Sequence, residues 1–356
     1  MLTMWTMWRG CCTQLLWTRA NGKSPLSCHA VRRCSAPALP AASITALQAV
    51  DLWRRCFEQR GVTEPRMSSH YIIAHLLGAK TIQSLEQEKL IEFLSREQME
   101  QVWELCTKRL SRVPVQYVIE EWDFRDITLK MKPPVFIPRP ETEELVELVL
   151  TDLQTTPGVA VIADTQRTFI EVGCGSGAIS LSLLKSLPQL KAVALDQSVE
   201  AVDLTWENAL RLGVQDRIKL HNMDIMKDGE ALLSICDPAV ALVSNPPYLF
   251  SDDMSTLEPE IFRYEDHAAL DGGVDGLKVI KQILMIAPQI LLNHGRVYLE
   301  VEPRHPPLIR QWVEVNVEEL RYIETRHDIT GRSVSKHSLC VFKCHMQELH
   351  MVLDLQ

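Results

Sequence analysis

The tetrapeptide Asn245-Pro246-Pro247-Tyr248 combines residues suited to chemistry on a planar nitrogen. An amide or aniline-type NH2 is a poor nucleophile because its lone pair is delocalised. Two acceptors, here the Asn245 side-chain oxygen and the Pro246 carbonyl, would take its N–H bonds, orient the nitrogen and raise its electron density. Proline stiffens the backbone so that the carbonyl stays aimed, and Tyr248 offers a flat face to the planar group. No strong general base is needed, since an alkylated, cationic nitrogen loses its proton readily. Positioning and desolvation then dominate the rate. Without that chemistry the same residues are a proline-rich turn with a packing aromatic.

A second constellation is Glu171-Val172-Gly173-Cys174-Gly175-Ser176-Gly177. Glycines between a strand and a helix let backbone approach a ligand closely at the carboxyl edge of a sheet. Two cofactors compete for such a turn. A dinucleotide motif reads GxGxxG and places pyrophosphate on the helix N-terminus. This turn reads GxGxG after an acid, and is similar to the S-adenosylmethionine loop of class I methyltransferases. That cofactor carries no phosphate, so Glu171 is tolerable there and suits its cationic methionine end. Asp196 ends the next strand, where its carboxylate can accept both hydroxyls of a ribose. Asp224, after the third strand, is placed to accept from an adenine amino group; otherwise it is a solvated loop acid.

These residues need a frame, and the chain supplies one. Ser43 to about Arg112 is helical in pattern: Ser43 caps a helix closed near Gly61, a second runs from about Ser69 to Leu77, and Ser95 with Gln98 forms a capping box for a third. Residues 43–112 make a small helical domain. Pro114 to Pro140 reads as extended and hairpin-like, so 113–140 is a connector, and a helix follows from Glu141 to Leu153. From Thr168 strands and helices alternate: strands at Thr168–Val172, Lys191–Asp196, Ile218–Met223, Ala239–Ser244, Arg296–Val301, Tyr322–His327 and Ser338–Lys343, with helices at Ala178–Leu187, Val199–Leu212, Leu277–Leu292 and Pro306–Val315. The fold class is α/β: a parallel, Rossmann-like sheet over residues 141–345, covered on both faces. Residues 346–356 are a C-terminal tail.

Charge divides the 356-residue chain. Its formal net charge is −9, with 37 Lys+Arg against 46 Asp+Glu. Residues 1–50 hold five basic residues (Arg9, Arg19, Lys23, Arg32 and Arg33) and no acid, which leaves −14 on the remainder. Residues 1–40 therefore have the make-up of a mitochondrial transit peptide, and a matrix location is expected. The acidic remainder weighs against a polyanion substrate, so no direct nucleic-acid partner is expected. No stretch of about 18 uninterrupted apolar residues suggests a membrane span. Outside the presumed presequence, Cys56, Cys106, Cys174, Cys236, Cys340 and Cys344 form no CxxC pair, which suits a reduced compartment. His337, Cys340, Cys344 and His345 have irregular spacing for a metal site, and no metal is expected.

Asn245–Tyr248 matches the (N/D/S)PP(Y/F/W) motif of methyltransferases acting on adenine N6, guanine N2 or glutamine N5. Phe136-Ile137-Pro138-Arg139-Pro140-Glu141-Thr142-Glu143 is more specific: it resembles the IPRPETE signature of the HemK/PrmC family of release factor N5-glutamine methyltransferases. Pro114-Val115-Gln116-Tyr117 with Phe124, Ala269-Leu270-Asp271-Gly272-Gly273 with Asp275-Gly276-Leu277, Leu299-Glu300, and Asp328-Ile329-Thr330-Gly331-Arg332 also match. The resemblance spans about residues 45–344, and with the N-terminal address it is strongest to the mitochondrial HemK-type members. It implies a class I sheet with S-adenosylmethionine along Gly173, Cys174, Gly175, Ser176, Gly177, Asp196 and Asp224, and Asn245 between cofactor and substrate. Asn245, Pro246, Pro247 and Tyr248 would hold the glutamine of the Gly-Gly-Gln loop in a mitochondrial class I peptide-chain release factor. Arg139 and Pro140 would line the cofactor entrance, the helical domain would grip the release factor, and the protein would act as a monomer in translation termination. Two positions depart from the family: Glu120 replaces a usual glycine, and Asp266 a common proline. A nucleic-acid N6-adenine methyltransferase and a catalytically silent assembly factor of the same fold are the rival readings.

Overall fold

The computed structural model describes residues 36–155, 167–327 and 338–345. Most of the expected address, the Asp328–Arg332 segment, His337 and the 346–356 tail lie outside the described residues.

The N-terminal part is helical: α1 Ala46–Gln59, α2 Pro65–Leu76, α3 Gln87–Ile91, α4 Arg96–Leu110 and α5 Val115–Ile119. Thr45, not Ser43, caps α1, because Gln48 stands three residues on and completes the reciprocal box, whereas Ser43 is followed at that spacing by Ala46. Helix α2 starts earlier than expected, at Pro65, whose fixed φ suits the first helical position. The Ser95–Gln98 box caps α4 as expected. Trp53 of α1 meets Trp103 of α4 edge-on at 5.2 Å and packs with Phe57 at 5.8 Å.

The expected extended segment after Pro114 begins instead with α5. Its β-branched residues favour strand, but Val115, Tyr117, Val118 and Ile119 are all buried, and packing overrides propensity. The hairpin follows as β1 Glu121–Phe124 and β2 Ile127–Lys130, antiparallel, with Trp122 opposite Leu129. Helix α6 spans Thr142–Thr155.

The large sheet comprises β3 Arg167–Val172, β4 Leu190–Asp196, β5 Ile218–Asn222, β6 Ala239–Ser244, β7 Leu291–Val301, β8 Leu320–His327 and β9 Ser338–Cys344, in the order β5-β4-β3-β6-β7-β9-β8. Strands β5 through β7 of that order run parallel, whereas β9 is antiparallel to both neighbours. The sheet is thus mixed rather than wholly parallel. Only residues 328–337 separate β8 from β9, short for the crossover that parallel pairing requires. Every residue of β6 is buried, the pattern of a strand covered on both faces. Helices α6, α7 Ala178–Ser186 and α8 Val199–Leu212 supply one apolar layer; α9 Ile225–Ile235, α11 Lys278–Ile290 and α12 His305–Asn316 supply the other. Helix α9 has no counterpart in the sequence reading, since Gly229 and few core residues (Ile225, Leu232) blur its period. A short α10, Pro259–Tyr264, carries Glu260, whose buried carboxylate meets Arg109 at 3.1 Å and Arg112 at 3.2 Å. That contact ties the helical part to the segment following Tyr248.

Glu120 lies in the left-handed region, with φ +60° at the end of α5, where a side chain costs about 1 kcal/mol. Asp266 uses its backbone N–H on the Pro134 carbonyl at 2.8 Å, a bond proline could not make. Glu120→Gly should therefore stabilise the protein by about 1 kcal/mol in urea unfolding, and Glu120→Val should destabilise it. Equal midpoints for all three proteins would contradict the strain assigned to this residue.

Candidate functional site

The carboxyl ends of β3, β4, β5 and β6 share one edge of the sheet. Register sets this: Glu171 pairs with Ala194 on one side and Val243 on the other, and Asp196 with Asn222. Each following residue, from Gly173 and Gln197 to Met223 and Asn245, leaves the sheet at that edge. Ser244, in the last position of β6, donates its hydroxyl to the Val172 carbonyl at 2.6 Å and ties the two motif-bearing ends together.

In the glycine turn, Gly173, Gly175 and Gly177 have φ of +79°, +55° and +86°. A Cβ at Gly173 or Gly175 would meet nothing within 4 Å, so above these residues the backbone is open to a ligand. A Cβ at Gly177 would lie 2.7 Å from Leu181, so there the constraint is packing. The turn spends most of its N–H groups within the protein. Gly173 and Cys174 both donate to the Leu195 carbonyl, at 2.8 and 3.0 Å, Gly175 to Asp196 Oδ2 at 2.9 Å, and Gly177 to the Cys174 carbonyl at 2.8 Å. A pyrophosphate site needs such donors free and dislikes a neighbouring carboxylate. The donor set therefore fits an uncharged or cationic group rather than a dinucleotide.

The acids around the turn differ in environment. Asp196 is half-buried, accepts from Gly175 and from Ser198 N (3.0 Å), and is pushed above the ordinary carboxylate range by burial. Asp224 caps α9 by accepting from Met226 N at 2.9 Å and pairs with Lys227 at 2.9 Å, which lowers its carboxyl. Glu171 is buried beneath the turn, accepts from Ser180 N (3.1 Å) and from the Ser180 hydroxyl, and is raised by burial from 4.5 to about 8. The Cys174 side chain turns into the core, where Thr205 contacts its sulfur at 3.5 Å, so only its backbone borders the turn; Ser176 is likewise almost wholly buried.

Across the edge, Asn245 donates through Nδ2 to Thr142 Oγ1 at 3.2 Å. Among the described residues nothing donates to its Oδ1 or to the Pro246 carbonyl. Tyr248 reaches Glu300 Oε1 at 3.4 Å, and burial keeps its hydroxyl protonated. The segment 270–277 wraps this backbone: Leu249 N donates to the Leu270 carbonyl at 2.9 Å and Gly272 N to the Leu249 carbonyl at 2.8 Å. A Cβ on Gly276 would stand 2.6 Å from the Tyr248 carbonyl and from His305 Nε2. Arg139 is clamped by both oxygens of buried Glu265, at 2.7 and 2.9 Å, and lies over the Phe136 ring. Sequence reasoning named neither Ser244 nor Thr142 as individual functional residues. Among the described residues no group of three metal-ligating side chains occurs; Cys340 and Cys344 are buried in β9.

Comparison with known proteins now bears on this geometry. Residues 48–119 match the PrmC N-terminal domain family and residues 146–274 the Methyltransferase small domain family. The human protein named MTRF1L release factor glutamine methyltransferase is 47% identical over 83% of this chain and 88% of its own length. The chain belongs to the release factor glutamine methyltransferase family. Members from Deinococcus radiodurans and Thermodesulfovibrio yellowstonii, both named release factor glutamine methyltransferase, are 31% and 34% identical, covering 76% and 65% of this chain and 90% and 77% of their own. The chain is thus an enzyme of this family, with the family's helical N-terminal domain ahead of a class I methyltransferase sheet.

Two consequences follow for this methyltransferase. Folded Glu171 holds its proton more tightly than the unfolded chain, so stability is greatest below about pH 4.5 in this respect and falls as pH rises through about 8. Glu171→Gln should flatten that decline in urea titrations at pH 5 and pH 8; an unchanged decline would refute it. Gly276→Ala should destabilise the protein by about 2 kcal/mol or more, through backbone overlap at φ +67°. A variant melting with the wild type would show that the Tyr248 segment gives way freely.

Proposed function

We propose that this enzyme transfers the methyl group of S-adenosylmethionine to N5 of the glutamine amide in the Gly-Gly-Gln loop of mitochondrial class I peptide-chain release factors, supporting translation termination in the mitochondrial matrix. The observation that carries the reading is a pair of acceptors, Asn245 Oδ1 and Pro246 O, to which nothing donates among the described residues, at the same sheet edge as a glycine turn that spends the N–H groups of Gly173, Cys174, Gly175 and Gly177 within the protein. The relatives' names supply the substrate class; the acid-free N-terminal segment supports the compartment.

When bound, S-adenosylmethionine supplies a sulfonium methyl as electrophile. The backbone of Gly173, Cys174, Gly175, Ser176 and Gly177 would border it, Asp196 would accept from its ribose hydroxyls, and Asp224 would face its adenine. Asn245 and Pro246 accept the two N–H bonds of the substrate amide, which holds the nitrogen lone pair toward the methyl and enriches it. Pro246 and Pro247 keep the carbonyl from swinging away, and Tyr248, tethered to Glu300, covers the planar amide. The methylated nitrogen is cationic and releases a proton to solvent without a dedicated base. The helical domain at 43–112 grips the release factor, and the net −14 of residues beyond 50 favours a basic protein over nucleic acid. The enzyme acts as a monomer, without contact to nucleic acid or membrane.

Recombinant protein incubated with S-adenosylmethionine and mitochondrial release factors should add one methyl to the Gly-Gly-Gln glutamine, read by peptide mass spectrometry. An unmodified peptide would overturn the proposal. Asn245→Ala should lower turnover by about 100-fold or more and leave the cofactor Kd little changed. Asp196→Ala should instead raise the Kd for S-adenosylmethionine about tenfold in calorimetry; an unaltered Kd would remove Asp196 from the cofactor site.

A further inference from the structure

We propose that Thr142 is a positioning residue that anchors the Asn245 amide in the orientation with its oxygen toward the substrate; this rests on Asn245 being a substrate acceptor. The two ends of an asparagine amide have nearly the same shape and opposite hydrogen-bonding sense. Whichever end faces the substrate decides whether the site offers an acceptor, which suits an N–H, or a donor, which suits a carboxylate. Here the nitrogen end is taken: Nδ2 donates to Thr142 Oγ1 at 3.2 Å. The oxygen end has no donor among the described residues.

The hydroxyl that takes it is well anchored. Thr142 is 2% exposed and opens α6, and its own N–H closes a turn on the Arg139 carbonyl at 3.0 Å. That turn is held in place by the Arg139–Glu265 pair and by Ile137 N on Glu265 at 3.1 Å. Thr142 Oγ1 thus sits on the rigid start of a helix, while Asn245 sits on the strand-end segment it must steady. With a methyl in place of the hydroxyl, the nitrogen end would lose its partner, and the amide, no longer anchored, would turn either end outward. The Phe136–Glu143 signature thereby acquires a role at the reacting atom as well as at the cofactor entrance.

The test compares wild type, Thr142→Val and Thr142→Ser, with Thr142→Ala replacing the valine variant if that one fails to fold. With a Gly-Gly-Gln peptide, Thr142→Val should lower kcat about tenfold, leave the Kd for S-adenosylmethionine unchanged, and be rescued by Thr142→Ser. The preference for binding Gly-Gly-Gln over a Gly-Gly-Glu peptide should shrink in the valine variant by a similar factor, which a simple packing defect would not produce. Hydrogen exchange of the Asn245 side-chain amide, followed by NMR without any substrate, should quicken about tenfold in Thr142→Val. Wild-type kcat, peptide preference and exchange in the valine variant, or a serine variant as impaired as valine, would overturn the proposal. If wild type itself leaves the glutamine peptide unmodified, the functional reading falls, and the exchange comparison alone still decides the role of Thr142.

Discussion

The bond from Ser244 Oγ to the Val172 carbonyl holds together the ends of two neighbouring strands, and the site depends on that junction. One strand runs into the glycine turn and the other into Asn245. Parallel pairing of Glu171 with Val243 sets their level, and the buried hydroxyl bond keeps the ends from fraying where the ladder stops. Every β6 residue is buried, so no alternation of buried and exposed faces sets its register, and the ladder with β3 together with the Ser244 bond aligns the two motifs.

Around this junction, the pieces that read as separate signatures brace one another. The Phe136–Glu143 segment carries Arg139, which Glu265 clamps from beyond Tyr248, and Thr142, which takes the Asn245 nitrogen. The 270–277 loop closes on the Leu249 backbone and leaves no room for a Cβ at Gly276. Glu260 carries the linkage outward to Arg109 and Arg112 of the helical part. Buried charge of this kind is weak evidence for net stability, but removing one partner strands the other and is strongly destabilising. The arrangement therefore fixes geometry rather than adding much stability.

Much of the fold was legible because its signals are local. Ser95 and Gln98 announce α4, and the largely apolar runs at Phe169–Val172 and Ala239–Ser244 announce central strands. Legibility failed where packing overruled local preference. The residues 115–119 favour strand and fold as α5, because Tyr117 donates its hydroxyl to the Val135 carbonyl at 2.6 Å and buries its ring. Helix α9 hid behind Gly229. The antiparallel seating of β9 between β7 and β8 is a long-range pairing that no window of residues contains.

The chemistry followed a similar division. Sequence alone determined which residue types stand at each strand end, and so the kind of reaction they suit: Asn245-Pro246 offers acceptors whatever the fold, and the GxGxG spacing departs from the GxGxxG of a dinucleotide turn. Only the tertiary structure decided how those groups are used. It spends four of the turn's N–H groups on Leu195, Asp196 and Cys174, turns the Cys174 thiol into the core, buries Glu171 against Ser180, and takes the nitrogen end of Asn245 with Thr142. The reason is that a side chain's hydrogen-bonding capacity belongs to its covalent structure, whereas the capacity left for a substrate depends on neighbours brought in from 103 residues away.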